Sequence, residues 1–144
     1  MLDGLTAASL DLADSTWRDS ELTGGRLGAI QLPGATMTAV RFRGSKLGFV
    51  NLAGAKLDDV AFEACEIGGI DARGATLHSV RFSDSSIGEL NLTEARLSKV
   101  DLSGARLSSL VGVDNLRGAI VNRAQVLDLA PQLAAQPGLE VRPD

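Results

Sequence analysis

Few residues in this chain could do chemistry. Cys65 and His78 are each the single member of their type in 144 residues. One cysteine excludes an internal disulfide framework and a cysteine-based zinc site. With no second histidine and no nearby nucleophile, His78 lacks the partner that a catalytic dyad requires. The one local gathering of carboxylates is Asp58, Asp59, Glu63 and Glu66, with Lys56 beside it. Acid–base or metal work by such a set needs the carboxylates to converge in a cleft. Whether they converge depends on the elements that carry them.

Those elements follow a period of five. From Leu12 to Leu107 every fifth residue is apolar, twenty in succession. A helix spaces apolar residues by three and four, a flat strand by two, so this pattern describes a chain that turns a corner every five residues. A second rhythm alternates every five. Small residues (Ala35, Ser45, Ala55, Cys65, Ala75, Ser85, Ala95) sit two before each centre, and between them stand Val40, Val50, Val60, Ile70, Val80 and Leu90. Large and small groups then share a narrow core of fixed cross-section. Cys65 belongs to the small interior column, which makes it buried filler.

A third rhythm recurs at twenty. Phe42, Phe62 and Phe82 form one series, and Gly28, Gly48, Gly68 and Gly88 another. With twenty residues per turn each series becomes a column. The rings stack inside with Leu52 and Leu92 in the same core, and the glycines mark a corner where a positive φ or a close backbone approach is wanted. A square coil of about five turns follows, roughly 24 Å long. A convex coil offers no cleft, so the acidic set is expected to lie solvated over one corner. The glycines track the five-residue grid, which is not the strand–loop–helix context of a phosphate-binding loop. Ala72 stands where other centres are larger and marks a thin spot, expected to be filled by Phe62 and Phe82.

The repeat units Val50-Asn51-Leu52-Ala53-Gly54, Leu90-Asn91-Leu92-Thr93-Glu94 and Val100-Asp101-Leu102-Ser103-Gly104 resemble those of the pentapeptide-repeat family. The resemblance implies an all-β solenoid, a right-handed quadrilateral β-helix. Residues 1–9 read as a lead-in, 10–110 as the coil, and 111–144 as a final partial coil and helical cap. Asn122 and Gln125 have capping-box spacing, Val126, Leu127, Leu129 and Ala130 supply an apolar helical face, and Pro131 cannot sit mid-helix, so two helices are expected, about 122–129 and 131–136.

Outward columns carry the rest. Asp11, Gln31, Asn51, Asp71 and Asn91 stack as a polar ladder, and Arg41, Arg43 and Arg81 with Lys46 make a local basic area. Phe49 lies outward one coil below Gly69, where its ring covers bare backbone or meets a partner. Over residues 10–110 there are 13 acidic and 11 basic residues, net −2, and the whole chain carries −4. That charge argues against a nucleic-acid-binding surface. Met1-Leu2-Asp3-Gly4 begins no secretory signal and no apolar run nears ~20 residues, so a cytoplasmic protein without a membrane span is expected. No catalytic residue, cofactor or metal ligand is assigned.

The functional expectation is a non-enzymatic binding or scaffold protein whose flat β-helix face docks a protein partner. The surface candidates are Asp11, Gln31, Asn51, Asp71, Asn91, Arg41, Arg43 and Phe49. The resemblance also implies a second reading, since some family members mimic duplex DNA, bind type II topoisomerases and protect DNA gyrase from quinolones or toxins. That role requires a long, strongly anionic rod, usually doubled by dimerisation, and for this chain a homodimer through an end of the coil is the corresponding expectation. This chain is short, near balance in charge and without a projecting loop.

Overall fold

The computed structural model describes residues 2–133. In chain order the strands are β1 (Leu2–Asp3), β2 (Thr6–Asp11), β3 (Thr16–Thr23), β4 (Arg26–Gln31), β5 (Thr36–Arg43), β6 (Lys46–Asn51), β7 (Lys56–Glu63), β8 (Glu66–Asp71), β9 (Thr76–Ser83), β10 (Ser85–Asn91), β11 (Arg96–Asp101), β12 (Ala105–Val111) and β13 (Ala119–Ile120), followed by helix α1 (Arg123–Leu133). Odd-numbered strands build a seven-stranded parallel sheet as far as β13, and even-numbered strands build a six-stranded one. From Leu2↔Leu22 to Leu90↔Leu110 each pairing is offset by twenty residues. The chain is therefore a β-solenoid with a twenty-residue turn. It has six stacked layers rather than about five, because β1 and β2 already pair as part of the coil.

Each turn has four corners, made by three different means. Leu32-Pro33-Gly34-Ala35 closes with a 3.1 Å bond from the Ala35 N–H to the Leu32 carbonyl, with Gly34 at φ 69°. That is a type II turn, with proline and glycine where each is favoured. The next corner stacks Asp19, Ala39, Asp59, Ser79 and Lys99, all non-glycine at φ between 49° and 58°. A third, at Gly24, Gly44, Ala64 and Asp84, is also left-handed. At Gly28, Gly48, Gly68 and Gly88, by contrast, φ is ordinary, and of the two reasons for glycine only close approach applies. A Cβ on Gly48 would fall on the carbonyl oxygen of Gly28 in the coil below, and one on Gly68 on that of Gly48. Positive φ is supplied elsewhere, about as often by residues with side chains as by other glycines.

The core is a single column of aliphatics around the rings. Phe42, Phe62 and Phe82 stack with centroids 4.7 and 4.9 Å apart and planes within 8°. Leu52 and Leu92 are buried beside them. Trp17, half-buried under Met37, donates from Nε1 to Ser15 Oγ at 2.8 Å. The thin spot at Ala72 is not completely filled. A cavity of about 10 Å³ remains there, lined by Leu52, Phe62, Ala72, Phe82 and Leu92 among others.

The C-terminal end departs from the twenty-residue frame. A 3₁₀ turn at Val113–Asn115 and glycines with positive φ at 112 and 118 bring β13 onto β11 with an offset of nineteen, Val100↔Ala119. Asn122 and Gln125 form a reciprocal box. The Asn122 N–H donates to Gln125 Oε1 (2.8 Å) and the Gln125 N–H to Asn122 Oδ1 (2.9 Å). The buried Gln125 amide also donates to the Leu102 and Ala105 carbonyls, at 2.5 and 2.6 Å, and ties α1 onto the last turn. The helix does not stop before Pro131 but runs as one segment through it. A proline in the last turn removes only the single bond to the residue-127 carbonyl, a smaller loss than ending the helix there. The apolar face is also narrower than expected, because Val126 packs on the core while Leu127 is 67% exposed. The stretch 134–136 of the expected second helix lies outside the described residues. No helix among those described is long and apolar enough to cross a membrane.

Candidate functional site

A turn that corners every five residues scatters side chains that are close in sequence. Asp58 and Asp59 belong to one side of the coil and its corner, Glu63 lies beyond that corner on the far end of β7, and Glu66 lies past the next one on β8. The four do not gather over one corner, and among the described residues no three His, Cys, Asp or Glu side chains are placed to share a metal ion. His78 sits one rung above Asp58, with Nε2 4.0 Å from Oδ1, both largely exposed.

Cys65 is 1% exposed and points inward. Its S–H is shared between the Phe42 and Glu63 carbonyls, with Sγ 3.4 Å from each. Burial pushes its thiol above the ordinary range, against the opposing pull of neighbouring backbone bonds. Ser45 and Ser85 occupy the same column and show what the position does. The Ser85 hydroxyl donates to the Ser83 carbonyl (2.9 Å) and accepts from the Cys65 N–H (3.1 Å); Ser45 does the same with Arg43 and Gly25. The column satisfies backbone groups that would otherwise be buried without partners.

The polar ladder is likewise committed to its own turns. Oδ1 of Asp11, Asn51, Asp71 and Asn91 accepts the N–H two residues on, at 3.0–3.3 Å. These Asx turns hold each corner at its entry. Asn51 donates to Gln31 Oε1 at 2.9 Å, one rung below. The Arg73 guanidinium grips both oxygens of Asp71 at 2.8–3.1 Å and holds its carboxyl below the usual carboxylate range. Little of this face remains free for a partner. Phe49, 39% exposed, lies against buried Gly69, with Cδ1 about 3.4 Å from where a Cβ would stand. Its ring shields backbone that glycine leaves bare.

The arginines are arranged differently. Arg41, Ala61 and Arg81 are successive rungs of one outward column. Arg43 and Glu63 are successive rungs of the next. Arg43 Nε lies 3.1 Å from Glu21 Oε1 and 3.2 Å from Glu63 Oε2. Arg41 and Arg81 both reach the other oxygen, Glu63 Oε1, at 3.5 and 3.8 Å. Three guanidiniums thus converge on one carboxylate. They fold over Ala61, which is only 4% exposed although it faces outward, while their own side chains stay 46–54% exposed. The reading by residue type placed Glu63 in an acidic cluster and missed its role here. The signal was present, since Arg43 and Glu63 are twenty apart, and Arg41 and Arg81 stand twenty-two and eighteen from Glu63.

Comparison with known proteins gives the following. The family model described as a pentapeptide repeat region matches residues 15–92. Among solved structures, the chain is similar to trypsin-treated QnrB1, a plasmid-mediated fluoroquinolone resistance protein. The two are 10% identical, with 94% of this chain and 99% of that one covered, at a TM-score of 0.25. No curated protein matches.

Proposed function

The chain belongs to the pentapeptide-repeat family, and from that premise we propose that it is a non-enzymatic binding or scaffold protein which docks a protein partner on the Arg41–Arg43–Arg81 face. The observation that carries this is the fate of the outward polar columns. The ladder of Asp11, Gln31, Asn51, Asp71 and Asn91 works for its own turns and rungs. The arginine face instead keeps half-exposed charged groups, and the contacts of Arg41 and Arg81 with Glu63 are long and replaceable. The sheet beneath is held on a twenty-residue register, so the groups are presented on a rigid frame at no cost in ordering the backbone.

Duplex-DNA mimicry is the weaker reading. It asks for a continuous anionic face, and here Asp71 is neutralised by Arg73 while Asn51, Asn91 and Gln31 are uncharged.

The test is affinity capture from source-cell lysate with the wild type and with Arg41→Glu/Arg43→Glu. A partner held by the wild type and lost by the variant is the expected result. Identical recovery of every captured protein removes this face from consideration. Gyrase supercoiling with and without the protein, plus a fluoroquinolone, separates the second reading; no effect at micromolar protein eliminates it.

A further inference from the structure

The contacts around Glu63 specify what the docking face would take. Its carboxylate is bound from three sides, yet two of the three arginines sit at 3.5 and 3.8 Å. A good N–H···O bond spans about 2.7–3.2 Å. Each guanidinium offers five N–H donors, so Arg41 and Arg81 spend little of their capacity on Glu63. All three side chains are about half exposed. In that setting an ion pair contributes little and exchanges readily with another anion. The arrangement is a receptor for a carboxylate, occupied loosely by one of the chain's own.

Spacing narrows the occupant. Arg41 and Arg43 are alternate residues on β5, so their Cβ atoms lie about 6.6 Å apart on one face. An extended peptide places its own alternate side chains at the same interval. Charge narrows it further. A chain of net −4, with Glu21 and Glu63 inside the site, repels a polyanion such as nucleic acid at long range. A short acidic segment meets instead three guanidiniums held against Glu21 and Glu63, with Asp101 one rung above Arg81, so that positive charge is freed for it where it displaces Glu63.

We propose that this face recognises an extended acidic segment of a partner protein, with carboxylates on alternate residues, and that Glu63 is the resident anion the segment displaces. This rests on the docking reading above. Glu63 then serves as an internal competitor. It keeps the arginines gathered over Ala61 when the site is empty and sets a threshold that a single stray carboxylate does not pass.

The experiment uses the full chain and a blocked peptide alternating glutamate and glycine, followed through the arginine side-chain N–H resonances. A lysine–glycine peptide and inorganic phosphate are the comparisons. Expected are shifts confined to Arg41, Arg43 and Arg81, weakening with salt, and loss of binding in Arg41→Gln/Arg43→Gln. Glu63→Gln should bind the peptide tighter, by roughly threefold or more if the displaced pairs have ordinary surface strength. Glu63→Ala repeats this without a hydrogen-bonding amide, and thermal melting verifies that each variant is folded. The proposal falls if the glutamate peptide does not bind, if phosphate binds more tightly than the peptide, or if Glu63→Gln binds equally or more weakly, which would make Glu63 an organiser of the arginines rather than their competitor. Failure is separable from that of the docking reading. A partner lost with Arg41→Glu/Arg43→Glu while the peptide fails to bind leaves docking intact and overturns only the acidic-segment assignment.

Discussion

Replacing Phe62 with leucine tests whether the ring column stabilises the solenoid through stacking or only through burial. Phe62 has two stacked neighbours, at 4.7 and 4.9 Å, while Phe42 has one. Both are 1% exposed, so Phe→Leu removes the same atoms from equally buried sites. The transfer costs then cancel in the difference. The cavity costs do not, because Phe62 borders the void at Ala72 and Phe42 does not, so the coupling in the double variant is the decisive reading. Each stacked pair contributes about 0.5–1.5 kcal/mol beyond the area it buries. With two pairs against one, Phe62→Leu should lose about 1–3 kcal/mol of stacking and Phe42→Leu about half as much, in addition to their common cost. Urea unfolding followed by circular dichroism measures both, with similar m-values required for the comparison. The double variant closes a cycle whose coupling should equal one stack, about 0.5–1.5 kcal/mol. Equal losses at the two positions, with no coupling, would refute stacking as an energetic contributor and leave the rings as mere volume.

Four further outcomes follow from the geometry, each read by denaturant unfolding. The methyl of Gly48→Ala would meet the Gly28 carbonyl, with no flexible neighbour to give way; such overpacking should cost about 1–3 kcal/mol. Gly54 stands in open space but in the left-handed region, so Gly54→Ala should cost only the conformational penalty of about 1–2 kcal/mol. Gln125→Leu strands the Ala105 carbonyl and removes one of two donors from the Leu102 carbonyl, which keeps the Ala105 N–H. Each buried acceptor left without a partner costs about 1–3 kcal/mol, and amide exchange in β12 and β13 should accelerate well before β7. The raised thiol pKa of Cys65 means the unfolded chain ionises first, so its contribution is complete below the ordinary value of 9.0 and is lost as pH rises through the folded value. Cys65→Ser, matching Ser45 and Ser85 in the same column, should fold within about 1 kcal/mol of the parent and abolish that alkaline slope in pH-dependent unfolding.

What could be read from the residues was whatever repeats. Twenty apolar centres and the phenylalanine and glycine series give the turn length directly, because each column must satisfy the same packing condition on every rung. What could not be read lies where one residue answers two demands. The Gly28–Gly88 column signals either positive φ or close approach, and only the carbonyl one rung below decides between them. Asp71 has the residue type of an acidic surface, yet its oxygens close a turn and bind Arg73. Glu63 belongs by sequence to the acidic run and by stacking to the arginines, and only the rung geometry shows which neighbours win. Near the C-terminus the repeat lapses, and with it the columns that made the rest predictable; a nineteen-residue offset and a helix that passes through Pro131 are local solutions with no periodic signature.

The constant twenty-residue offset makes length a discrete variable. Excising any whole turn between β3 and β10 brings together layers already built to fit, and shortens the rod by one step of about 4.8 Å. Excising ten residues would set a type II corner beneath a left-handed one and misalign every column. Change in this molecule is therefore easy in units of twenty and prohibitive in between, and the spacing between any two outward groups along the rod comes only in whole steps.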